Sequence, residues 1–397
     1  FHKETKEFLV FFWVLVAIIL NSVVAFFYTL ATTTDPTTLW SLVAVNFVYY
    51  LGIAQSGIVF SAIMRIAKSE WGRYFSRLGE ILTLSSIPWA FILFLLIYFG
   101  GTDLLFYWAQ PVAAHVEIGA FHHDSPWLDK EFFFWRAVIT MALFYGMSYL
   151  YFRLARIEES KKSVGYDLEK RLNLYAGFVM FFYVVTNTNL AWDFGMMIIP
   201  HWESVIFPAY FWVGNLFACA AFLYLLSLIF LSPRTHEGDE RTLVVRIVME
   251  KTNLHSMATL LMGFTLLWVY MFWAQHIVTW YGDRPVLTEP LFWQMEGYFT
   301  WIFAAMIMGL FIVPFLALLT KRVKLALSSM AVVSLLICVG IWLNRYLMIV
   351  PVYTDGSESI VANWTGISLV FGGLAGTLLA LIIFIKIFPY VSLIQEE

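Results

Sequence analysis

Two long apolar runs are separated by a polar stretch, Asn187-Thr188-Asn189-Leu190-Ala191-Trp192-Asp193, which continues through Pro200-His201-Trp202-Glu203 to Tyr210 and Asn215. Each flanking run is long enough to cross a bilayer. Polar or ionisable side chains inside a membrane are costly unless they are paired or hydrated, so such clusters mark cavities and ion routes. We therefore expect the rest of the chain to form a helical frame around this stretch.

The composition is that of an integral membrane protein. Hydrophobic residues make up 61% of the chain and charged residues 13%, far below the share of roughly a quarter that is usual in soluble domains. Apolar spans recur along the whole length, so we expect one polytopic transmembrane domain over residues 1–397. Cys219 and Cys338 lie in apolar runs without Cys-x-x-Cys spacing, which argues against an iron–sulfur site or a disulfide framework. Because Phe1 is not a methionine, we expect a short leading segment before it.

Hydropathy predicts ten transmembrane helices. They cover residues 8–30, 39–67, 77–100, 132–154, 172–199, 203–231, 254–281, 291–320, 325–350 and 363–388. Pro88, Pro208 and Pro314 fall inside these helices, where a proline frees a carbonyl and is expected to kink the helix.

The basic residues indicate the topology. Of the 24 lysines and arginines, 20 lie on the side of the N-terminus, and only Lys130, Arg136, Arg284 and Arg345 lie on the other side. Both termini are therefore predicted to be cytoplasmic, which requires an even number of helices. The longest connection on the outer side, residues 101–131, contains His115, His122, His123 and Asp124 and is expected to cap a pocket or dock a partner.

Three residues of the opening stretch can carry a charge, and each needs a physical explanation. Asp193 is predicted at the outward end of helix 5, where the helix dipole disfavours a carboxylate, so we expect water, a hydrogen bond or a cation to offset it. Glu203 follows Pro200 at the predicted start of helix 6, where the dipole favours a carboxylate, so capping is its simpler role. His201 suits a proton relay, with an ordinary interfacial histidine as the alternative.

Other charged residues lie in or beside the predicted helices. Glu80 follows Arg77 by three residues on one helix face, which predicts a local salt bridge. Glu296 opens predicted helix 8, again with the dipole as its simple explanation. Arg345 lies on the outer third of predicted helix 9, and we expect a carboxylate or a lipid phosphate as its partner.

The end of predicted helix 7 is a candidate quinone or proton site. Gln275, His276 and Thr279 lie within about one helical turn there, although an interfacial belt explains part of the pattern. His201 and His276 are the only pair of histidines with the matching depth that haem b would need, and we disfavour a haem there. No P-loop, dinucleotide fingerprint or zinc spacing occurs, which argues against a bound nucleotide or metal.

Several stretches together resemble one family. They are residues 103–108, Trp127-Leu128-Asp129-Lys130-Glu131-Phe132-Phe133-Phe134-Trp135-Arg136, Trp192-Asp193 with Pro200-His201-Trp202, Leu254-His255 through Gln275 to Trp280-Tyr281-Gly282, and Asn344-Arg345-Tyr346 before Pro351. In these the chain resembles the NrfD, or polysulfide-reductase membrane-anchor, family. Within that family it is most similar to the ActF-type membrane subunit of bacterial alternative complex III.

The resemblance implies an architecture and a role. The fold would be two four-helix bundles, helices 2–5 and 6–9, flanked by helices 1 and 10. The chain would be a bacterial inner-membrane subunit of a respiratory quinol-oxidising complex, with a homologous membrane subunit, an iron–sulfur subunit, cytochrome c subunits and lipids as partners, and no nucleic acid. Haem c and iron–sulfur clusters would lie in the partners, and the chain itself would bind no cofactor, with quinone as a candidate ligand. Because the quinol site of such complexes is associated with the other membrane subunit, the implied role is structural support plus a proton pathway.

The predicted sites follow from these observations. The proton pathway is predicted at Glu80, Asp193, His201, His276, Glu296 and Arg345. We expect Asp193, His201, His276 and Glu296 to form one polar cluster at the outer end, with four unrelated interfacial groups as the alternative. A quinone site is predicted at Asp103, Gln275, His276 and Trp280.

Two other functions compete with this one. The chain could be the quinone-binding subunit of a related molybdopterin and iron–sulfur oxidoreductase. It could also be a secondary transporter, for which polar groups should lie at mid-depth in corresponding halves. The polar residues instead crowd the outer third of the predicted helices, which favours the complex subunit.

Overall fold

A computed structural model of the chain describes residues 6–110, 126–159, 166–230, 251–354 and 363–388. These residues form long helices and no strand. The long helices are α1 Lys6–Thr32, α2 Thr37–Ile66, α3 in two halves Arg73–Ser85 and Ile87–Gly100, α4 Lys130–Glu159, α5 Tyr166–Ala191, α6 Phe207–Phe230, α7 Lys251–Gly282, α8 in two parts Phe299–Ile307 and Val313–Leu319, α9 Leu327–Ile349 and α10 Trp364–Ile387.

The described residues form an all-α polytopic membrane protein. Nine of these helices are long and apolar enough to cross a membrane, and α3 makes a tenth when its two halves, which meet at 44°, are counted as one span. Ten spans therefore require that the bent α3 crosses the membrane. The middle of the long predicted connection, residues 111–125 with its three histidines, lies outside the described residues.

The two ends of the helix assembly are named here by their charge. The basic end contains Ile66 at the end of α2 and is predicted to be cytoplasmic; the acidic end contains Thr37 at the beginning of α2.

Helix α2 lies at the centre of the protein. Its most apolar segment is wholly buried, whereas that of α1 is 22% buried. Helices α3, α5, α6, α9 and α10 all contact α2. Small side chains permit this close packing: Gly57 lies directly against the backbone of Gly79 in α3, so that neither position has room for a Cβ.

Helices α1 and α10 pack against each other at one side of α2. Asn21 Nδ2 donates to Ser368 Oγ at 2.9 Å, and the hydroxyls of Thr29 and Thr365 are 2.7 Å apart. The other face of α1 exposes large apolar side chains such as Trp13, which suits contact with lipid.

The predicted kink at Pro88 is confirmed. The break in α3 falls at Ser86, two residues before this proline, because Pro88 has no N–H to continue the helical hydrogen bonds. The kink predicted at Pro208 is wrong, since this residue is the second of α6, where a missing N–H costs nothing. In α8, Pro314 follows a π-helical turn, Met308–Ile312, that interrupts the helix.

Two predicted helix starts are wrong, and both affect candidate residues. Helix α6 begins at Phe207, so Glu203 lies before its first turn and does not cap it. Helix α8 begins at Phe299, after a separate short helix, Pro285–Trp293, and a turn in which Gly297 has a φ of 56°. Glu296 therefore lies in this turn and is exposed.

Candidate functional site

An ion pair is buried at the acidic end. Arg136 of α4 donates through Nη2 to Asp193 Oδ1, and the two residues are exposed by 7% and 1%. Arg136 Nη1 also donates to Trp127 O at 3.1 Å, and the Trp127 ring lies 4.0 Å from the guanidinium carbon. Of the three partners expected for Asp193, namely water, a hydrogen bond or a cation, the structure shows a cation, Arg136.

The local backbone turns Asp193 inward. Helix α5 changes into a π-helical turn, Trp192–Met196, and Asp193 is its second residue. Such turns insert one extra residue into a helix and are frequent at functional sites. At this helix end the dipole disfavours a carboxylate, so the guanidinium of Arg136 is needed to offset both the dipole and the burial.

A second ion pair lies towards the basic end. Arg156, also from α4, donates to Glu80 Oε2 at 2.7 Å, and Ser61 Oγ donates to Glu80 Oε1 at 2.5 Å. Tyr151 approaches Ser61 Oγ at 3.2 Å. Glu80 is only 4% exposed, so it has a partner from another helix in addition to any contact with its sequence neighbour Arg77. The local prediction did not identify Arg156.

A third charge lies deep in the protein and has no acidic partner. Arg345 is fully buried, and its acceptors are Asn344 Oδ1 at 2.9 Å, Met348 Sδ at 3.3 Å, Phe211 O at 2.7 Å and Asn215 Oδ1 at 2.9 Å. All of these are neutral, and the Phe211 ring lies 3.9 Å from the guanidinium carbon. The predicted carboxylate or lipid-phosphate partner is therefore wrong for the described residues, where dipoles and a ring face surround the cation instead.

Amide side chains connect Arg345 with the centre of the protein. Asn215 Nδ2 donates to Asn187 Oδ1 at 2.9 Å, and Asn187 Nδ2 donates to Gln55 Oε1 at 3.0 Å. Asn187 and Asn215 are the first and last residues of the polar stretch that was singled out in the sequence. They lie on α5 and α6, so this stretch joins the helices on both sides of it.

An open cavity of about 290 Å³ lies at the acidic end. It is lined mainly by aromatic, methionine and other apolar side chains, with His201 and Glu203 as polar members: Tyr107, Trp127, Leu128, Met196, Met197, Ile199, His201, Trp202 and Glu203. Burial raises the pKa of the Tyr107 hydroxyl, which keeps it protonated. His201 is exposed and has a φ of 62°, an unfavourable conformation for a residue with a Cβ.

The predicted quinone residues are not equivalent in the structure. Gln275 is buried with Oε1 unpartnered, and His276 is partly buried with Nδ1 2.8 Å from Phe272 O and a buried, unpartnered Nε2. Trp280 is 68% exposed. Asp103 is exposed and forms a surface pair with Lys130 at 2.5 Å. Only Gln275 and His276 present buried polar atoms.

The four residues predicted to form one outer cluster do not share one environment. Asp193 is buried against Arg136, whereas His201 and Glu296 are exposed and His276 is bonded to its own helix. Their burial and their hydrogen-bond partners therefore differ, and the predicted polar cluster stays a prediction. Exposure could not be derived from hydropathy depth, because residues at one depth can face either the interior or the surroundings.

Several residues of the polar core were missed by the sequence analysis. They are Gln55, Ser61, Tyr145, Tyr151 and Arg156, together with Arg136, which was counted only as a charge on the outer side. A signal for Arg136 existed, since it is one of only four basic residues on that side and charged residues within membrane helices usually pair with other groups.

No protein-family model matches this chain, and none of the curated protein sequences matches it. The family resemblance of its sequence motifs stays a prediction.

Proposed function

We propose that this chain is an integral membrane subunit of a bacterial respiratory quinol-oxidising complex of the alternative complex III type. In that complex it supports the assembly and contributes a proton pathway through the first helix group, α2–α5. The electrons would pass through an iron–sulfur subunit and cytochrome c subunits, and a homologous membrane subunit would lie beside it. The sequence motifs support the family, and the buried charges support the pathway.

One observation carries the pathway: both buried ion pairs of the first helix group use an arginine of α4. Arg136 and Arg156 are 20 residues apart, which is about 30 Å along a helix and equals the thickness of the hydrocarbon core. Their partners, Asp193 and Glu80, are the carboxylates of the described residues that are buried within helices. A carboxylate would thus lie near each membrane surface, and both carboxylates pair with arginines of one helix, α4.

Polar side chains lie between these carboxylates. Thr186 and Asn187 follow Asp193 inward along α5, and Gln55, Ser56 and Ser61 continue along α2 to Glu80. Hydroxyl and carboxyl groups can donate and accept protons, so they can form a relay when water completes the gaps. Movement of α4 would change the distance between each carboxylate and its arginine and thereby its proton affinity.

The helix contacts also support the two-bundle arrangement that the resemblance implies. In the group α2–α5 each helix contacts the next and α5 contacts α2, which closes a ring. The helices α6–α9 form a second ring in the same way, and α1 and α10 pack outside α2. We place both termini in the cytoplasm, so that Glu80 would take up protons there and Asp193 would release them outside.

Neutral variants in the purified complex, reconstituted in liposomes, test the pathway. We expect Asp193→Asn and Glu80→Gln to reduce quinol-driven proton release by tenfold or more while leaving the subunits together, since each keeps its shape but loses the titrating group. Glu289→Gln, which neutralises an exposed carboxylate at the acidic end, is the control and should have no effect. Unchanged proton stoichiometry in both variants would contradict the pathway and leave a supporting role only.

A second candidate function is quinone binding in the second helix group, α6–α9. It is favoured by Gln275 Oε1 and His276 Nε2, which belong to neighbouring residues in the sequence and are buried and without partners among the described residues. Both atoms are hydrogen-bond acceptors, His276 Nε2 because Nδ1 donates to Phe272 O, so the two hydroxyl groups of a quinol, the reduced form of a quinone, could donate to them. Gln275→Leu should then weaken inhibition by quinone analogues; inhibition unchanged by Gln275→Leu and by His276→Phe would exclude this site.

A further inference from the structure

A series of hydrogen bonds crosses the centre of the protein in one direction. Arg345 donates to Asn215, Asn215 donates to Asn187 and Asn187 donates to Gln55, at distances between 2.9 and 3.0 Å. All four side chains are exposed by 1% or less. Because a guanidinium has only donors, the oxygen of Asn215 must face it, and the orientation of each following amide is then determined in turn.

The series ends at Gln55, because Gln55 Nε2 is buried and has no hydrogen-bond partner among the described residues. A second, separate pair of hydrogen bonds lies at the break in α3. The hydroxyl of Tyr145 is 2.8 Å from Ser86 Oγ, and Ser86 Oγ donates to Thr83 O at 2.7 Å. Since the Ser86 proton is engaged by that carbonyl, Tyr145 is the donor of their pair.

Close packing holds the amides in place. A Cβ at Gly214 would lie 2.9 Å from Arg345 Nη2, and a Cβ at Gly52 would lie 2.5 Å from Asn215 Cγ. The side chains of Arg345 and Asn215 therefore fill the space beside these two glycines completely. The amides have little room to rotate into another arrangement.

The series lies between the two carboxylates of the first helix group. Asn187 is six residues before Asp193 on α5, and Gln55 is six residues before Ser61, the residue that bonds Glu80, on α2. Six residues correspond to about 9 Å along a helix. A proton passing from one carboxylate to the other along the polar side chains of α5 and α2 would therefore cross the depth of this series.

We propose that Arg345, Asn215, Asn187 and Gln55 form a proton-tight seal across the middle of the proton pathway, and that Arg345 is the positioning residue that locks it. This inference rests on the proposed function. A proton moves along hydrogen bonds only if each member passes its own proton on and then rotates back. Here one end is a guanidinium that does not release its proton, and the other end, Gln55 Nε2, has no acceptor among the described residues, so the series cannot pass a proton on and reset. The permanent charge of Arg345 also repels an excess proton. Transport between Asp193 and Glu80 would then require movement of helices during turnover.

The passive proton permeability of the purified full chain in liposomes tests this seal without turnover. A potassium gradient with valinomycin supplies the potential, and an enclosed pH-sensitive dye reports proton entry. We expect Arg345→Gln, which removes the charge, and Asn215→Leu, which breaks the series but keeps the charge, to raise proton entry on the order of tenfold. Arg345→Lys should stay close to the unchanged chain, because it keeps the charge.

Tyr49→Phe is the matched control. It removes one buried hydrogen bond, from Tyr49 to Cys338 O at 2.9 Å, between the same helices α2 and α9 and carries no charge, so its liposomes should stay tight. Adding Asp193→Asn to Arg345→Gln should abolish the leak if the leak uses the pathway.

Three results would overturn the seal. They are folded Arg345→Gln and Asn215→Leu chains that are as tight as the unchanged chain, a comparable leak in Tyr49→Phe, and a leak that Asp193→Asn does not reduce. The proposed function fails separately, through unchanged quinol-driven proton release in Asp193→Asn.

Discussion

The first and second helix groups treat buried charge in opposite ways. In α2–α5 each buried carboxylate meets an arginine of α4, so the charges cancel within the group. In α6–α9 the buried Arg345 has only neutral partners among the described residues. A paired carboxylate can gain or lose a proton when its partner moves, whereas an arginine surrounded by dipoles keeps its charge. The first group is therefore suited to proton exchange, and the second keeps a permanent positive charge at Arg345.

The polar stretch of the sequence connects these two environments. Asn187 belongs to the first group and Asn215 to the second, and the hydrogen bond between them joins α5 to α6. The positively charged Arg345 of the second group is thus linked to the interior of the first group by a series of hydrogen-bonded amides and not by an ion pair. Removing an arginine should therefore change the free energy of unfolding by different amounts in the first and the second helix group.

The largest expected effect is the loss of an arginine from the first group. Arg136→Met leaves Asp193 buried and unpaired, which should lower the free energy of unfolding by about 3–5 kcal/mol. Arg345→Met leaves only neutral acceptors and should cost about 0–2 kcal/mol, because it also removes a buried cation. Denaturation in mixed detergent micelles, followed by circular dichroism, measures both. Adding Asp193→Asn should recover much of the stability of Arg136→Met, and equal costs for the two arginine variants would remove the contrast between the groups.

An intermediate effect is expected where the two groups touch. Gly52→Ala places a methyl group against the Asn215 amide and should cost about 1–3 kcal/mol through overpacking. Gly177→Ala in α5 has nothing within 4 Å of the new methyl group and should be neutral or stabilising by up to about 1 kcal/mol. The same unfolding measurement compares them. A Gly52→Ala chain as stable as Gly177→Ala would mean that the amides can rearrange.

The smallest expected effect concerns the exposed counterpart of the buried pairs. Lys130 and Asp103 form a salt bridge with side chains that are 38% and 62% exposed. Asp103→Asn should change the free energy of unfolding by about 0–1 kcal/mol, and added salt should abolish the difference because it screens exposed charges. A larger effect that persists in high salt would indicate that Asp103 has a further partner.

Sequence reasoning was sufficient for features that depend on composition along one helix. The apolar spans, the break at Pro88, the position of Asp193 at the end of α5 and its need for some compensating partner all follow from local chemistry. It was wrong for Glu203 and Glu296, because the exact starts of α6 and α8 depend on turns such as that at Gly297. It also could not give the different exposure of Asp193, His201 and Glu296, since depth in the membrane does not determine which way a side chain faces.

The sequence by itself determined that the chain crosses a membrane many times and that polar groups lie inside it, because the hydrophobic effect acts on each apolar run independently of its neighbours. Only the tertiary structure decided which charges meet. Asp193 and Arg136 are 57 residues apart, and Glu80 and Arg156 are 76 apart. Arg345 meets amides instead of a carboxylate because α9 packs against α6 and α2, whose facing positions carry Gly214, Asn215 and Gly52. Such pairings depend on how helices rotate against one another, which is set by the packing of all of them together.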